Sequence, residues 1–250
     1  MLVLITGATS GIGKSTAEIF AKNGYNLIIT GRRQERLTEF KTELEKKYKV
    51  SVLDLCFDIR VMTEVEKAIS GLSAVNKKID ILVNNAGLAA GLSSIQDGEI
   101  DHWERMIDTN IKGLLYMTKY ISQIMIKNGK GHIINIGSVA GKEVYANGNV
   151  YCATKHAVDA LNKGMRIDLL PHHIKVSAIN PGMVETEFSV VRFDGDEDRA
   201  KKVYAGMQPL TPGDIAETIF WVANRPAHVN INEILIMPAV QATATNVLRK

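Results

Sequence analysis

Tyr151 and Lys155 stand four residues apart in a helical pattern, so both side chains project from one face within reach of each other. A phenol titrates near 10 and exchanges its proton poorly at neutral pH; lowering it by about three units takes roughly 4 kcal/mol. One ammonium at about 4 Å supplies about that much at an effective dielectric near 20, so Lys155 is expected to lower the Tyr151 phenol. Taken alone, the spacing is common on protein surfaces. Here Ser138 lies upstream, closing the apolar stretch Ile134-Asn135-Ile136-Gly137-Ser138. A hydroxyl at the carboxyl end of a strand is where open α/β sheets bind ligands. Phenol, ammonium and hydroxyl together are equipment for moving a proton on and off a substrate oxygen.

A second constellation binds anions. Thr6-Gly7-Ala8-Thr9-Ser10-Gly11-Ile12-Gly13 follows an apolar run and enters a helical pattern. Gly7 allows a tight turn, Gly11 lets backbone approach a phosphate, and Gly13 allows close helix–strand packing, so amides at the helix N-terminus face a pyrophosphate. The spacing differs from the commonest dinucleotide fingerprint, and a plain structural turn would also use these glycines. About twenty residues on, an acidic residue would favour NAD. The sequence instead has Thr30-Gly31-Arg32-Arg33, planar donors suited to the 2′-phosphate of NADP, although two arginines at a helix start can equally face solvent.

The elements that must position these groups follow from apolar periodicity. Runs at 2–5, 27–30, 50–57, 79–83, 132–136, 176–179 and 233–237 are nearly continuous, as strands buried on both faces read. Helical patterns at 13–23, 34–48, 63–75, 101–127, 151–169 and 212–224 separate them. The expected fold is α/β: a doubly wound, Rossmann-type parallel sheet of seven strands with helices on both faces. With no linker or repeat, residues 1–250 read as a single dinucleotide-binding catalytic domain. The helix 101–127 is apolar over more than one core-facing stripe, from burial in its own core or against another subunit. Residues 184–208 are the least regular long stretch and read as a substrate lid.

Composition narrows the class. The chain has 250 residues, 46% hydrophobic and 23% charged, with a net charge of +3, which excludes wholesale disorder and offers no basic stripe for nucleic acid. Two cysteines, Cys56 and Cys152, make neither a disulfide framework nor a zinc cluster. Cys56 reads as core and Cys152 as an inert thiol; the six histidines lack metal-ligand spacing, so no metal is expected. No run approaches a membrane span and an apolar strand begins directly after Met1, so a soluble, cytoplasmic protein is expected.

With these residues in order, the chain resembles the short-chain dehydrogenase/reductase family from residue 2 to about residue 237. The resemblance rests on the turn 6–13, Asp58, Asn84-Asn85-Ala86-Gly87, Asn110, Ser138, Tyr151-Cys152-Ala153-Thr154-Lys155 and Pro181-Gly182-Met183-Val184-Glu185-Thr186. It implies that Tyr151 is the general acid/base, that Ser138 holds the substrate oxygen, and that Lys155 tunes the phenol and binds the nicotinamide ribose. Asn110 would support a water-linked proton relay. Gly7, Thr9, Ser10, Gly11, Ile12 and Gly13 would meet the cofactor phosphates, Asp58 and Ile59 the adenine. Asn84, Ala86 and Gly87 would line the cofactor channel; Pro181, Gly182 and Val184 would meet the nicotinamide, and Thr186 the pyrophosphate. NADP-preferring relatives often carry a basic residue where this chain has Ser10, so the NADP expectation rests on Arg32 and Arg33.

Four segments narrow the likeness: 30–37, 104–110, Thr186-Glu187-Phe188-Ser189 with Val191-Arg192-Phe193, and Pro226-Ala227-His228-Val229-Asn230-Ile231-Asn232. They are similar to the NADP-dependent 3-hydroxy-acid dehydrogenase branch, which acts on serine, L-allo-threonine or 3-hydroxypropionate-type acids and forms homotetramers. Such substrates need a cation for the carboxylate, and Arg192 is the candidate, unless Glu187 or Asp194 pairs with it. A 3-oxoacyl-carrier-protein reductase and a non-catalytic NADP-sensing protein are the alternatives.

Overall fold

The protein, seen as a computed structural model that describes residues 1–250, is built on one seven-stranded sheet. In chain order the elements are β1 (Leu2–Ile5), α1 (Gly11–Lys22), β2 (Asn26–Gly31), α2 (Gln34–Tyr48), β3 (Val52–Cys56), α3 (Met62–Ser70) and β4 (Ile81–Asn84). Then come α4 (Ile100–Ile107), α5 (Leu114–Asn128), β5 (Gly131–Ile136), α6 (Asn149–Leu169), β6 (Ile174–Pro181), α7 (Phe188–Arg192), α8 (Glu197–Tyr204), α9 (Pro212–Ala223) and β7 (Glu233–Ile236). The strands lie in the order β3-β2-β1-β4-β5-β6-β7 and every neighbouring pair is parallel. Strand order reverses between β1 and β4, and that switch point opens a crevice beyond the carboxyl ends.

The period of two in a strand decides which helices cover which face. Val3, Ile5, Leu27, Ile29, Val83 and Ile134 pack with α1, α2 and α9 through Phe20, Leu37, Phe40 and Ile219. The alternate residues Leu4, Ile28, Leu82, Ile133 and Val176 pack with α3, α5 and α6 through Val65, Met117, Ile121 and Val158. The near-continuous apolar runs are therefore two interleaved faces, each covered by helices.

Three sequence expectations change. The helix expected over 101–127 is two α-segments joined by a π-helical turn, Asp108–Gly113, which carries Asn110 inward. A π turn widens the helix by one residue and re-aims side chains, a local event that periodicity does not register. The irregular stretch 184–208 contains two short helices, α7 and α8. Cys56 is exposed, because β3 is an edge strand and Cys56 ends it. The broad apolar surface of the long helical segment is only partly filled: Met117, Ile121 and Met125 are buried, while Ile107, Leu115 and Ile126 stay exposed.

Two helical glycines differ in what surrounds them. A Cβ on Gly13 would strike the Gly7 carbonyl oxygen and the Asn85 amide, whereas one on Gly164, inside α6, meets nothing within 4 Å. Gly13→Ala is therefore expected to destabilise the protein by about 1–3 kcal/mol. Gly164→Ala should stabilise it by about 0.5–1 kcal/mol, both read from urea unfolding midpoints.

Candidate active site

The crevice at the switch point is a cleft of about 520 Å³. Its floor begins with the turn after β1. Gly7 and Gly11 take positive φ (+67° and +52°), so the backbone curls without Cβ strain. Asn85 fastens this turn: its Nδ2 donates to the Thr6 carbonyl at 2.8 Å and its backbone N–H to Thr6 Oγ1 at 3.0 Å. The N-terminus of α1 has no side-chain cap and no acidic residue in its first turn. By contrast, α9 satisfies its first turn with a Thr211–Asp214 capping box. Uncapped amides at a glycine-built helix start are an anion site, and the residues fit a pyrophosphate.

Gly7, Thr9, Ser10, Gly11, Ile12, Arg32, Arg33, Asp58, Ile59, Ala86 and Gly87 all line the cleft, as do Pro181, Gly182, Val184 and Thr186. Arg33 reaches back over the turn, its Nη2 donating to Thr9 Oγ1 at 2.9 Å. Burial works to raise the Asp58 carboxyl, but hydrogen bonds from the Arg60 side chain and backbone outweigh it and hold the group below its ordinary value. Two expected cofactor residues lie elsewhere. Gly13 is buried and serves helix–strand packing. Asn84 points to the opposite side of the sheet, where its Nδ2 donates to Thr118 Oγ1 at 3.0 Å and Asn135 Oδ1 at 2.9 Å. Its neighbour Asn85 takes the cleft position, because successive strand residues face opposite ways.

Ser138, Tyr151 and Lys155 converge at the carboxyl end of β5. Ser138 starts a short 3₁₀ turn; its Oγ accepts from the Ala140 N–H at 3.0 Å, leaving the hydroxyl proton free to donate into the cleft. Tyr151 and Lys155 lie on adjacent turns of α6 and are 8% and 7% exposed. Lys155 Nζ donates to the Ile136 carbonyl at 2.9 Å, and burial drives its pKa down to about 8. Here the structure corrects the expectation for the phenol. Burial pushes Tyr151 above its ordinary value, aided by Tyr145 and opposed by Ser138 and the Arg192 guanidinium; Lys155 is not among its principal influences. Desolvation exceeds what neighbouring charge recovers in the protein alone.

Asn110 does not line the cleft. Its Nδ2 donates to the Leu88 carbonyl at 2.8 Å and Thr154 Oγ1 at 3.0 Å, and its Oδ1 accepts from the Leu88 N–H at 2.8 Å. Both amide hydrogens and one lone pair of the oxygen are thereby used, and Asn110 fixes the 87–88 backbone beside Lys155. Arg192 does line the cleft, at the end of α7. Its Nε donates to the Gly91 carbonyl at 3.2 Å and its Nη2 to the Tyr145 hydroxyl at 3.1 Å, with the guanidinium 5.6 Å from the Tyr151 ring centre. Neither suggested acid pairs with it: Glu187 pairs with Arg33 and Arg36, and Asp194 with His102 and Arg105.

Several residues escaped the sequence reading. Phe188 packs edge-on to Tyr151, with ring centres 5.7 Å apart. Tyr204 ties α8 to the site by donating to the Val184 carbonyl at 2.8 Å, and Gln241 accepts from the Met183 N–H at 2.8 Å. Asn85 was within the quoted motif and strand alternation marks it; Gln241 lies far along the chain with no local pattern to flag it.

Comparison with known proteins agrees with this geometry. Residues 1–197 match the short chain dehydrogenase family. The chain is 48% identical to the NADP-dependent 3-hydroxy acid dehydrogenase YdfG of Salmonella typhi, over 98% of this chain and 97% of that protein. It is 43% identical to the serine 3-dehydrogenase of Agrobacterium fabrum, over 97% and 95% respectively. Among solved structures, the closed form of a serine dehydrogenase complexed with NADP+ superposes with a TM-score of 0.93 at 46% identity, covering all of both chains. With the glycine turn, the convergence of Ser138, Tyr151 and Lys155 and the sheet order all in place, the chain belongs to the short-chain dehydrogenase family.

Proposed function

We propose that the chain is an NADP-dependent dehydrogenase that oxidises the β-carbon hydroxyl of a small 3-hydroxy acid, of the serine, L-allo-threonine or 3-hydroxypropionate type, and catalyses the reverse reduction. The relatives named above carry that activity in their names, but the observation that carries the substrate class is Arg192. It is a guanidinium inside the cleft, over the Tyr151 ring, that forms no ion pair with the chain's own carboxylates. A 3-hydroxy acid supplies the missing anion at about the right remove from the reacting carbon.

The amides of the turn 7–12 and Thr186 would hold the pyrophosphate, Arg32 and Arg33 the 2′-phosphate, and Asp58 and Ile59 would border the adenine. Lys155 would bind the nicotinamide ribose, and backbone at 181–184 the nicotinamide amide. NADP, when bound, supplies the hydride acceptor or donor. In oxidation the Tyr151 oxygen takes the hydroxyl proton while Ser138 donates to the same substrate oxygen; in reduction Tyr151 returns the proton. Phe188, edge-on to the Tyr151 ring, would form one wall beside the phenol. Asn110 supports the proton path from behind, by holding the 87–88 backbone.

Residues 1–250 act as one catalytic unit with 184–208 as a lid, supported by the way α7 and α8 border the cleft. A cytoplasmic homotetramer is part of the same proposal. No helix is long and apolar enough to cross a membrane. Exposed Ile107, Leu115 and Ile126 offer apolar surface for a subunit contact.

The direct test follows NADPH absorbance with 3-hydroxypropionate, L-serine, L-allo-threonine and 3-hydroxyisobutyrate. Turnover with at least one is expected; tight NADPH binding with no turnover on any would overturn the proposal. Arg192→Ala should lower kcat/KM for the acid by about 30- to 150-fold, or roughly 2–3 kcal/mol, and leave a carboxylate-free alcohol of similar size much less affected. Equal losses on both would remove Arg192 from substrate binding.

Lys155 yields a prediction about pH. Its native pKa is near 8, below the ordinary lysine value, so burying the ammonium costs the fold about 3 kcal/mol while both states are protonated. Between about 8 and the ordinary lysine range the unfolded chain binds the extra proton, so native stability rises with pH there. Lys155→Met should therefore abolish most turnover yet stabilise the cofactor-free protein by about 1–3 kcal/mol at pH 7. Denaturant melts at stepped pH should show that advantage shrinking above pH 8.

A further inference from the structure

The carboxylate of Glu187, immediately before α7, lies 3.5 Å from the Arg33 guanidinium and 3.3 Å from that of Arg36. Arg33 is also the residue folded over the phosphate-binding turn, with Nη2 on Thr9 Oγ1. An anion of the chain thus already occupies part of the arginine cluster that a 2′-phosphate would use. From this juxtaposition we infer that Glu187 is a specificity-determining residue for the cofactor: an internal counter-anion that the 2′-phosphate must displace from Arg33 and Arg36. The inference rests on the NADP reading and adds Glu187 and Arg36 to it.

Three physical points carry it. The two arginines and Glu187 are each about half exposed, so their pairs are weak and exchangeable. A phosphate monoester carries more charge than a carboxylate and offers more acceptor oxygens to planar guanidinium groups, so it wins the exchange. NAD, with no 2′-phosphate, has nothing to exchange and leaves Glu187 in place. Glu187 also borders α7, which carries Phe188 against Tyr151 and ends in Arg192. Releasing one end of that five-residue helix therefore bears on the residues that surround the phenol.

The test uses fragments that need no turnover. 2′,5′-ADP and 5′-AMP differ only in the 2′-phosphate, and calorimetry gives their Kd on the full chain and on Glu187→Gln. The variant is expected to tighten 2′,5′-ADP about three- to tenfold, the scale of two surface ion pairs, and to move 5′-AMP less than twofold. The gain should shrink at high salt, where such pairs are screened. If wild type prefers 2′,5′-ADP but Glu187→Gln binds it no better, or tightens both ligands alike, the role of Glu187 is overturned and the cofactor reading stands. If wild type binds 2′,5′-ADP no more tightly than 5′-AMP, the cofactor reading itself falls, and this inference with it.

Discussion

A lysine ammonium almost out of reach of water, with a single carbonyl as its hydrogen-bond partner, is the constraint around which the cleft is arranged. Burying a charge without a counter-charge is costly, and a chain free to relax would release it. Here the surroundings do not give. Lys155 is on a 21-residue helix whose Val158, Met165 and Leu169 are locked into the sheet core. A glycine lets that helix sit close: a Cβ at Gly141 would lie 2.6 Å from the Lys155 carbonyl oxygen. Rigid packing holds the cation where proton chemistry needs it, at the expense of stability.

The same rigidity recurs across the switch point. Thr6 and Asn85 stitch the ends of β1 and β4 together, so the phosphate-binding turn is held by side chain and backbone at once. Behind the sheet, Asn84, Asn135 and Asn162 form a buried amide chain from β4 through β5 to α6, with links of 2.9 and 3.0 Å. A buried polar chain is favourable only when its geometry is kept, so it fixes the register of the strands whose ends bear Ser138 and the 84–88 segment. The catalytic geometry is thereby set from both faces of the sheet.

Much of this was legible in sequence because it depends on local rules. Continuous apolar runs gave the strands, and the glycine turn, Ser138 and the Tyr151–Lys155 spacing gave the cleft. What escaped depends on contacts between distant segments or on side-chain direction. Asn84 was expected in the cofactor channel and Asn85 was given no role, although strand alternation separates their faces and it is Asn85 that lines the cleft. The π turn at Asp108–Gly113 leaves the apolar pattern unbroken, and β3 read as core because a run of apolar residues does not say which strand lies at an edge. Glu187 was weighed as a partner for Arg192, five positions along; the fold instead turns it toward Arg33 and Arg36, more than 150 residues away.

The raised phenol sharpens what catalysis requires. In the protein alone, burial dominates Tyr151, and Arg192 is one of the two groups that oppose it. A cation about 5.6 Å from the ring centre is worth roughly 3 kcal/mol at an effective dielectric near 20. A substrate carboxylate bound to Arg192 would cancel much of that help, since the pair presents little net charge to the phenol. Substrate binding at Arg192 therefore works against deprotonation of Tyr151. On the proposed mechanism the favourable field is left mainly to the positive charge of the oxidised cofactor, since Lys155 is not among the principal influences on the phenol in the protein alone. On the proposed function the two cations would do different work, Arg192 holding the acid in register and Lys155 holding the nicotinamide ribose beside the phenol. The buried ammonium, lowered by desolvation and tied to one carbonyl, would then serve by its fixed position at the cleft and not by its charge on the phenol.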